Sequence, residues 1–568
     1  RKPTVHLPKA RQAVAPVAVI GVALLAGVTG FAWWSTLDTE GERPDAIPKD
    51  GTPSIAVLPL NDFSPAESGG YLGDGLSEEL SSQLAMVPGL RVAARTSAFA
   101  FKGKNIDVRQ IGDKLGVRYV MEGSIRRDDD RVRVTVQLID ASTGYHVWTQ
   151  SYDRPWQDLI AIQQEISREI TRKLRVVLTP EEAEKVLFAT TNDPRAYDFY
   201  LAGLSELRQG GGISRVDEAE RLFTRSLDID PDFARAHAGL CEAGIQRFER
   251  TSDPDAMLRA EAACRRALET GTTLRETELA LARLYTTGGR HEQAEAVYRR
   301  LIEATPSHAE AYIGLGEALQ GQGRAEAAEE ALREAVVVEP GYWLTHNRLG
   351  TVLFKHGRAK EAVQSFERVT EMVPGNPNGF NNLGAAQMLI GDLVGAAASF
   401  RRSNELEPSR SAYSNLGTIN YYLGQFEEAV SMYSRAITLA PEDYMLWGSR
   451  ADSLWFMEGR RDAAIEGYRR AIQLAEINLQ VNDTEGITWA LLAYYYNRVG
   501  DTDRAARYTE RAMELHPDSP FVNYFAALAA ADRGEIEESN RLAKLAVEYG
   551  FPMPLIMADP ALPGMRTG

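Results

Sequence analysis

Five prolines, Pro306, Pro340, Pro374, Pro408 and Pro441, follow one another at spacings of 34, 34, 34 and 33 residues. A fixed period of this length constrains the fold strongly. Each unit must be one supersecondary element that buries its apolar face only by stacking on its neighbours. Other residues keep the same rhythm. AEAYIGLGEALQGQGRAEAAEEALREAVVVEP carries Tyr312, Leu315, Gly316, Ala328, Ala335 and Pro340. Leu349, Gly350, Ala362, Phe366 and Pro374 fall at the same offsets, then Leu383, Gly384, Phe400 and Pro408, then Tyr413, Leu416, Gly417, Ala429, Tyr433, Ala436 and Pro441. Each unit reads as two helices, with Gly and Ala where they approach and an aromatic ring in the joint to the next unit.

This pattern resembles the tetratricopeptide repeat. Trp489, Leu492, Ala505, Tyr508, Ala512 and Pro517 mark a late unit, and one lacking its proline ends near AEINLQVNDTEG. Less regular units end at Pro231 and near Glu269-Thr270-Gly271, giving about ten units over residues 194–551 with degenerate flanks, as capping predicts. Residues 552–568 are read as a tail.

The resemblance implies a protein or peptide partner on the concave face lined by each unit's first helix. A clamp for peptide C-termini needs Lys, Asn and Arg at set offsets in three successive first helices. Asn347, Asn381, Asn382 and Asn415 supply Asn, but the Lys and Arg do not fall in place, so that specificity is not carried over. Asn347, Asn381 and Asn415 remain candidate partner contacts; unit-to-unit hydrogen bonding is the competing role. Trp447, Trp489 and Tyr495, in the stretch densest in large aromatics, are candidate anchors, against core packing for most rings there.

Between Ala13 and Trp34 lie 22 uncharged residues, preceded by Arg1, Lys2, Lys9 and Arg11 and ending in Trp33-Trp34. About 20 apolar residues in a helix span a bilayer. A signal peptide's apolar region is shorter and ends in small residues. The expectation is a transmembrane helix over 13–34, with a cytoplasmic stub at 1–12 and a Pro-broken linker at 35–53. It places the chain in a bacterial inner membrane as a single-pass protein, N-terminus inside and bulk periplasmic.

Residues 54–178 change character. SIAVLPL and LRVAA read as buried strands, and GDGLSEELSSQLAMVPG as a helix capped by Asp74, with Leu76, Leu80, Leu84 and Val87 on one face. DVRQIGDKLG is a shorter helix closed by Gly116. In RVRVTVQLID, Val132, Val134, Val136 and Leu138 alternate with polar residues, the period of a half-buried strand, flanked by VRYVMEGSIRR and GYHVWTQSYD in a meander. Leu159, Ile162, Ile166, Ile170 and Leu174 form a helical stripe. Together these segments resemble the TolB amino-terminal-like domain, which implies a non-catalytic α/β sandwich joined to an output domain. The expected fold class is a multidomain α+β chain: one transmembrane helix, a small TolB-like α/β domain and an all-α tetratricopeptide solenoid.

Chemistry is sparse. No GxxxxGK[ST], HExxH, GxSxG or paired CxxC occurs, and the eight His are scattered, so no catalytic, cofactor-binding or metal-binding residue is assigned. The 63 basic and 79 acidic residues leave a net charge of −16. An acidic bulk argues against nucleic-acid binding by this portion. Cys241 and Cys264 fall in the two helices of one early unit; two buried thiols or a disulfide are both open.

The first residue is Arg, not Met, so the chain is expected to be a fragment. One reading is the non-catalytic, protein-binding or sensing portion of a signalling protein. Its output domain would lie upstream: a winged-helix transcription regulator first, an adenylate or guanylate cyclase next, a protein kinase third. The other is an envelope scaffold without output. A homo-oligomer is compatible with both.

Overall fold

The computed structural model describes residues 52–65, 70–174, 176, 191–208, 212–251, 253–270, 275–481 and 483–562. Spans 1–12, 13–34 and most of 35–53 lie outside them. Among the described residues no helix is long and apolar enough to cross a membrane. The fold class is corrected accordingly: the described residues form a small mixed sheet followed by a helical solenoid, without a membrane-spanning helix among them.

The sheet has six strands: β1 (Ser54–Val57), β2 (Asn61–Asp62), β3 (Arg91–Val92), β4 (Tyr119–Asp128), β5 (Arg131–Asp140) and β6 (Tyr145–Pro155). Their order is β3-β1-β4-β5-β6, with β2 also on β4. The pairs β1–β3, β1–β4 and β2–β4 are parallel, and β4-β5-β6 is an antiparallel meander. In β5 the four apolar residues of the alternation are wholly buried, while Arg131 and Arg133 are exposed. Helices α1 (Leu72–Ala85) and α4 (Leu159–Lys173) put their leucine and isoleucine stripes on one face of the sheet. Helices α2 (Arg95–Phe99) and α3 (Val108–Leu115) share a second core on the other.

Asp74 does not cap α1. The helix starts at Leu72, and the carboxylate of Asp62, at the end of β2, accepts from the N–H groups of Leu72 (3.1 Å) and Gly73 (3.3 Å). A strand end brought beside the helix supplies the anion its N-terminus favours. Asp74 instead pairs with Lys102 at 2.6 Å.

Ten helix pairs follow among the described residues. They are α5 (Pro194–Arg208) with α6 (Ile213–Ile229), α7 (Ala234–Thr251) with α8 (Pro254–Glu269), α9 (Arg275–Thr287) with α10 (His291–Ala304), and α11 (Ala309–Gly321) with α12 (Ala325–Val338). Next come α13 (Trp343–Lys355) and α14 (Ala359–Met372), α15 (Pro377–Leu389) and α16 (Leu393–Leu406), α17 (Arg410–Tyr422) and α18 (Phe426–Leu439). The last are α19 (Tyr444–Trp455) and α20 (Arg461–Val481), α21 (Gly486–Arg498) and α22 (Thr502–Leu515), α23 (Pro520–Asp532) and α24 (Ile536–Glu548), followed by the short α25 (Met553–Ala558).

The chain divides into two compact units, with the boundary between Arg348 and Leu349 inside α13. In the first unit one hydrophobic core runs from Ile55 and Leu76 through Ile166 to Tyr197, Leu201, Phe223 and Ala243. The α/β region and the first repeats are therefore packed as one body. In the second unit the core extends from Ala385 and Phe400 through Tyr468 and Tyr495 to Ile556 and Leu562.

Candidate functional site

In the first unit the inner helices of the repeats face the α/β region across a groove. α1 spends its leucines on the sheet, which leaves Glu78 and Glu79 on the side that an isolated domain would give to water. Both are buried. Glu79 pairs with Arg235 of α7, their side chains 3% and 7% exposed, and accepts from the Tyr200 hydroxyl at 2.7 Å. Glu78 meets Arg95 at 2.8 Å and Arg208 of α5 at 3.0 Å. The Glu78 carboxylate pushes the Arg208 guanidinium above its ordinary pKa, whereas burial pushes Arg95 below it.

Further contacts extend this interface at both ends. Arg91 donates to the carbonyl of Val338 at 2.5 Å, and the Ala94 N–H donates to Glu339 Oε1 at 2.5 Å. Burial raises the Glu339 carboxyl to about 8 although that N–H opposes the shift. Gly341 lies on the Leu115 backbone so closely that a Cβ there would sit 2.5 Å from the carbonyl oxygen. At the other end the Tyr71 hydroxyl donates to Asp198 at 2.6 Å, and Arg127 pairs with the same carboxylate at 3.1 Å.

These contacts border a partly open cavity of about 530 Å³, lined by α1 and α2 on one side and by α5, α7, α9, α11 and the start of α13 on the other. Its charged groups alternate in sign. Arg283 bridges Glu242 (2.6 Å) and Glu249 (3.0 Å), Arg348 meets Glu317 (3.0 Å), and Tyr342 reaches Glu310 (3.4 Å). Such walls suit polar, mixed-charge surface rather than an apolar ligand. Among the described residues no group of His, Cys, Asp or Glu could hold a metal ion.

The residues singled out from the sequence do not converge on one site, although Asn381 meets Asn415 and Cys241 meets Cys264. Asn415 donates to Asn381 Oδ1 at 3.0 Å, both buried, joining adjacent inner helices. Asn347 is half-buried on α13. Tyr495 is buried beneath Gly448. Trp447 and Trp489 donate their indole N–H to the carbonyls of Pro441 and Asp483, both at 2.9 Å. His237, His346 and Asn523 do the same for Pro231, Pro340 and Pro517. A donor six residues after the residue at the unit's end, a proline in four of these five cases, is thus a recurrent lock on the turn. Cys241 and Cys264 form a disulfide between α7 and α8. The Glu78–Glu79 network carried no sequence signal, because its arginine partners on the repeats lie 130 and 156 residues away.

Comparison with known proteins agrees with this architecture. Residues 279–341 and 347–409, and then 411–443, match tetratricopeptide repeat families. Residues 51–169 match the HilA/YgeH-like transcriptional regulator, second domain. The chain thus combines a regulator-like α/β domain with a tetratricopeptide array, an architecture for protein–protein interaction. It is 39% identical over 245 residues to "Putative adenylate cyclase 3" of Rhizobium meliloti (strain 1021), over 42% of this chain and 42% of that protein. The match therefore spans under half of that relative's length. Solved structures with some likeness include MamA (20% identity, 29% of this chain and 97% of that one, TM-score 0.28). A thermophilic TPR protein of Thermus thermophilus gives 21%, 32%, 100% and 0.27 for the same quantities. YrrB, described as a TPR protein with an unusual peptide-binding site, gives 26%, 32%, 95% and 0.28.

Proposed function

We propose that this chain is the recognition and regulatory part of a signalling protein. Its repeats take a protein partner, and its α/β domain passes the event to an output domain outside these residues. The observation that carries the reading is the seating of Glu78 and Glu79 in the repeat groove. A partner that shifts the inner helices must also move α1, because the two share one core and one buried ion-pair network. The output favoured is an adenylate cyclase, on the identity to the relative of that name. A transcription-regulating output is the second reading, favoured by the HilA/YgeH-like match. The Cys241–Cys264 bond supports an oxidising compartment, such as the periplasm, for the repeats.

The test is to express the protein that carries this chain in a bacterial host lacking its own adenylate cyclase and to measure cyclic AMP. Accumulation that changes in Glu79→Gln supports the cyclase reading with α1 as relay. No cyclic AMP from a folded, expressed protein contradicts it and leaves the regulator or an envelope scaffold.

A further inference from the structure

In the second unit the segment after the last repeat turns back. Gly550 has φ +106°, a conformation open to glycine, and it reverses the chain at the end of α24 so that Phe551 to Leu562 run into the groove. Phe551 stacks on Tyr524 at 4.3 Å and meets the Phe521 ring edge-on at 5.6 Å. Pro554 lies against Gly391, beyond α15, where a Cβ would stand 2.9 Å away. Leu555 and Ile556 are buried. Asp559 is fully buried, and its carboxylate accepts the hydroxyls of Tyr421 (3.1 Å) on α17 and Tyr524 (2.5 Å) on α23, with the Ala561 N–H at 2.8 Å.

A cap for the solenoid's end need only cover α23 and α24. This segment reaches back to the units of α15 and α17. It also leaves space beneath it, a cavity of about 160 Å³ bordered by Tyr421, Tyr422, Asp452, Tyr494 and Leu555. Joined to the last helix pair through the Gly550 turn, it can leave the groove while the helix pairs stay folded. Two phenols from distant repeats converging on one carboxylate recognise an acid at a fixed distance from an aromatic ring.

We infer that this groove is a peptide-binding site and that Phe551–Leu562 is its resident, displaceable occupant. The partner segment presents an aromatic residue, an aliphatic pair four and five residues on, and an acid eight residues on. The inference rests on the partner-binding reading above but concerns the second unit alone.

The test uses the 568-residue chain and a labelled peptide of its own residues 550–562, GFPMPLIMADPAL, followed by fluorescence anisotropy. In the wild type the tethered segment competes, so binding is weak. In Asp559→Asn the resident is loosened, and affinity for the peptide should rise about tenfold or more, since apparent affinity scales with the fraction of open groove. The same peptide with Asn in place of its Asp should lose that gain. Hydrogen exchange provides an independent arm: excess peptide should speed exchange of 551–562 in the wild type and leave α23 protected. Failure of the peptide to bind a folded Asp559→Asn chain overturns the proposal, as does exchange of 551–562 unmoved by excess peptide. Dimerisation of the variant in place of peptide binding also overturns it, pointing to exchange of the segment between copies. None of these outcomes bears on cyclic AMP output, which is read through the first unit.

Discussion

Arg235 and Glu79, 156 residues apart, form an ion pair with side chains only 7% and 3% exposed. Taking both charges out of water costs several kcal/mol each, and their attraction roughly offsets that cost, so the pair adds little net stability. It does fix a register. Glu79 is held by Arg235 and the Tyr200 hydroxyl together, and a docking of α1 that separates them leaves a buried charge without that partner. The tetratricopeptide groove of the first unit is thus occupied from within the chain.

Gly341→Ala should loosen the far end of this interface. The added Cβ meets the Leu115 carbonyl oxygen at 2.5 Å, and backbone on both sides cannot yield cheaply. A loss of about 1–3 kcal/mol is expected. Faster hydrogen exchange in α3 and α12, with α17–α20 unchanged, is the outcome to look for; unchanged α3 would mean the contact does not exist in solution.

The interface should weaken as pH rises. The Glu339 carboxyl is raised to about 8 in the folded chain against an ordinary 4.5. Its contribution is therefore full below the ordinary value and is lost as pH climbs through about 8. Between pH 5.5 and 8.5 the urea midpoint of the first unit should fall in the wild type and fall less in Glu339→Gln. Parallel curves for the two proteins would refute it.

Phe366 fills the inside of its unit against Gly350, whose Cβ position lies 2.8 Å from the ring. Phe366→Ala should cost about 3–5 kcal/mol, felt in the second unit because repeat stability is a sum of neighbour terms. Segment-resolved hydrogen exchange should quicken around α14 to α16 and not in β4 to β6. Equal acceleration in the sheet would mean a single cooperative core.

Reducing Cys241–Cys264 should lower stability by about 2–4 kcal/mol, as for a loop of this size. Acid-quenched cells treated with a maleimide of high mass should show neither cysteine shifted if the repeats lie in an oxidising compartment. Both shifted would place them in a reducing one.

What the sequence discloses follows from how local each interaction is. The helix pairs come from a 34-residue period, β5 from strict alternation, and the Asn381–Asn415 bond from a spacing of one repeat. Asp74 misled because an acid in the first turn looks like a cap, while the true anion, Asp62, arrives from a strand. Trp447 and Trp489 stand out in the sequence as large aromatics, but nothing local says that their indole N–H groups bond the chain's own turns. In the sequence Glu78 and Glu79 are two acids in the first part of a helix, where its N-terminal dipole favours them. Nothing local announces Arg208 and Arg235 as their partners, or turns residues 552–562 from a tail into an occupant.

Whether the α/β domain sits in the groove of its own repeats is tested most directly by a double-mutant cycle. The cycle combines Glu79→Gln and Arg235→Met and is read by urea unfolding of the first unit. Each single change strands a buried partner and should cost about 3–5 kcal/mol, while the double change should cost far less than the sum, giving a coupling of at least about 1.5 kcal/mol. Additive effects, with a coupling near zero, would show that the two side chains do not meet and that the groove is open.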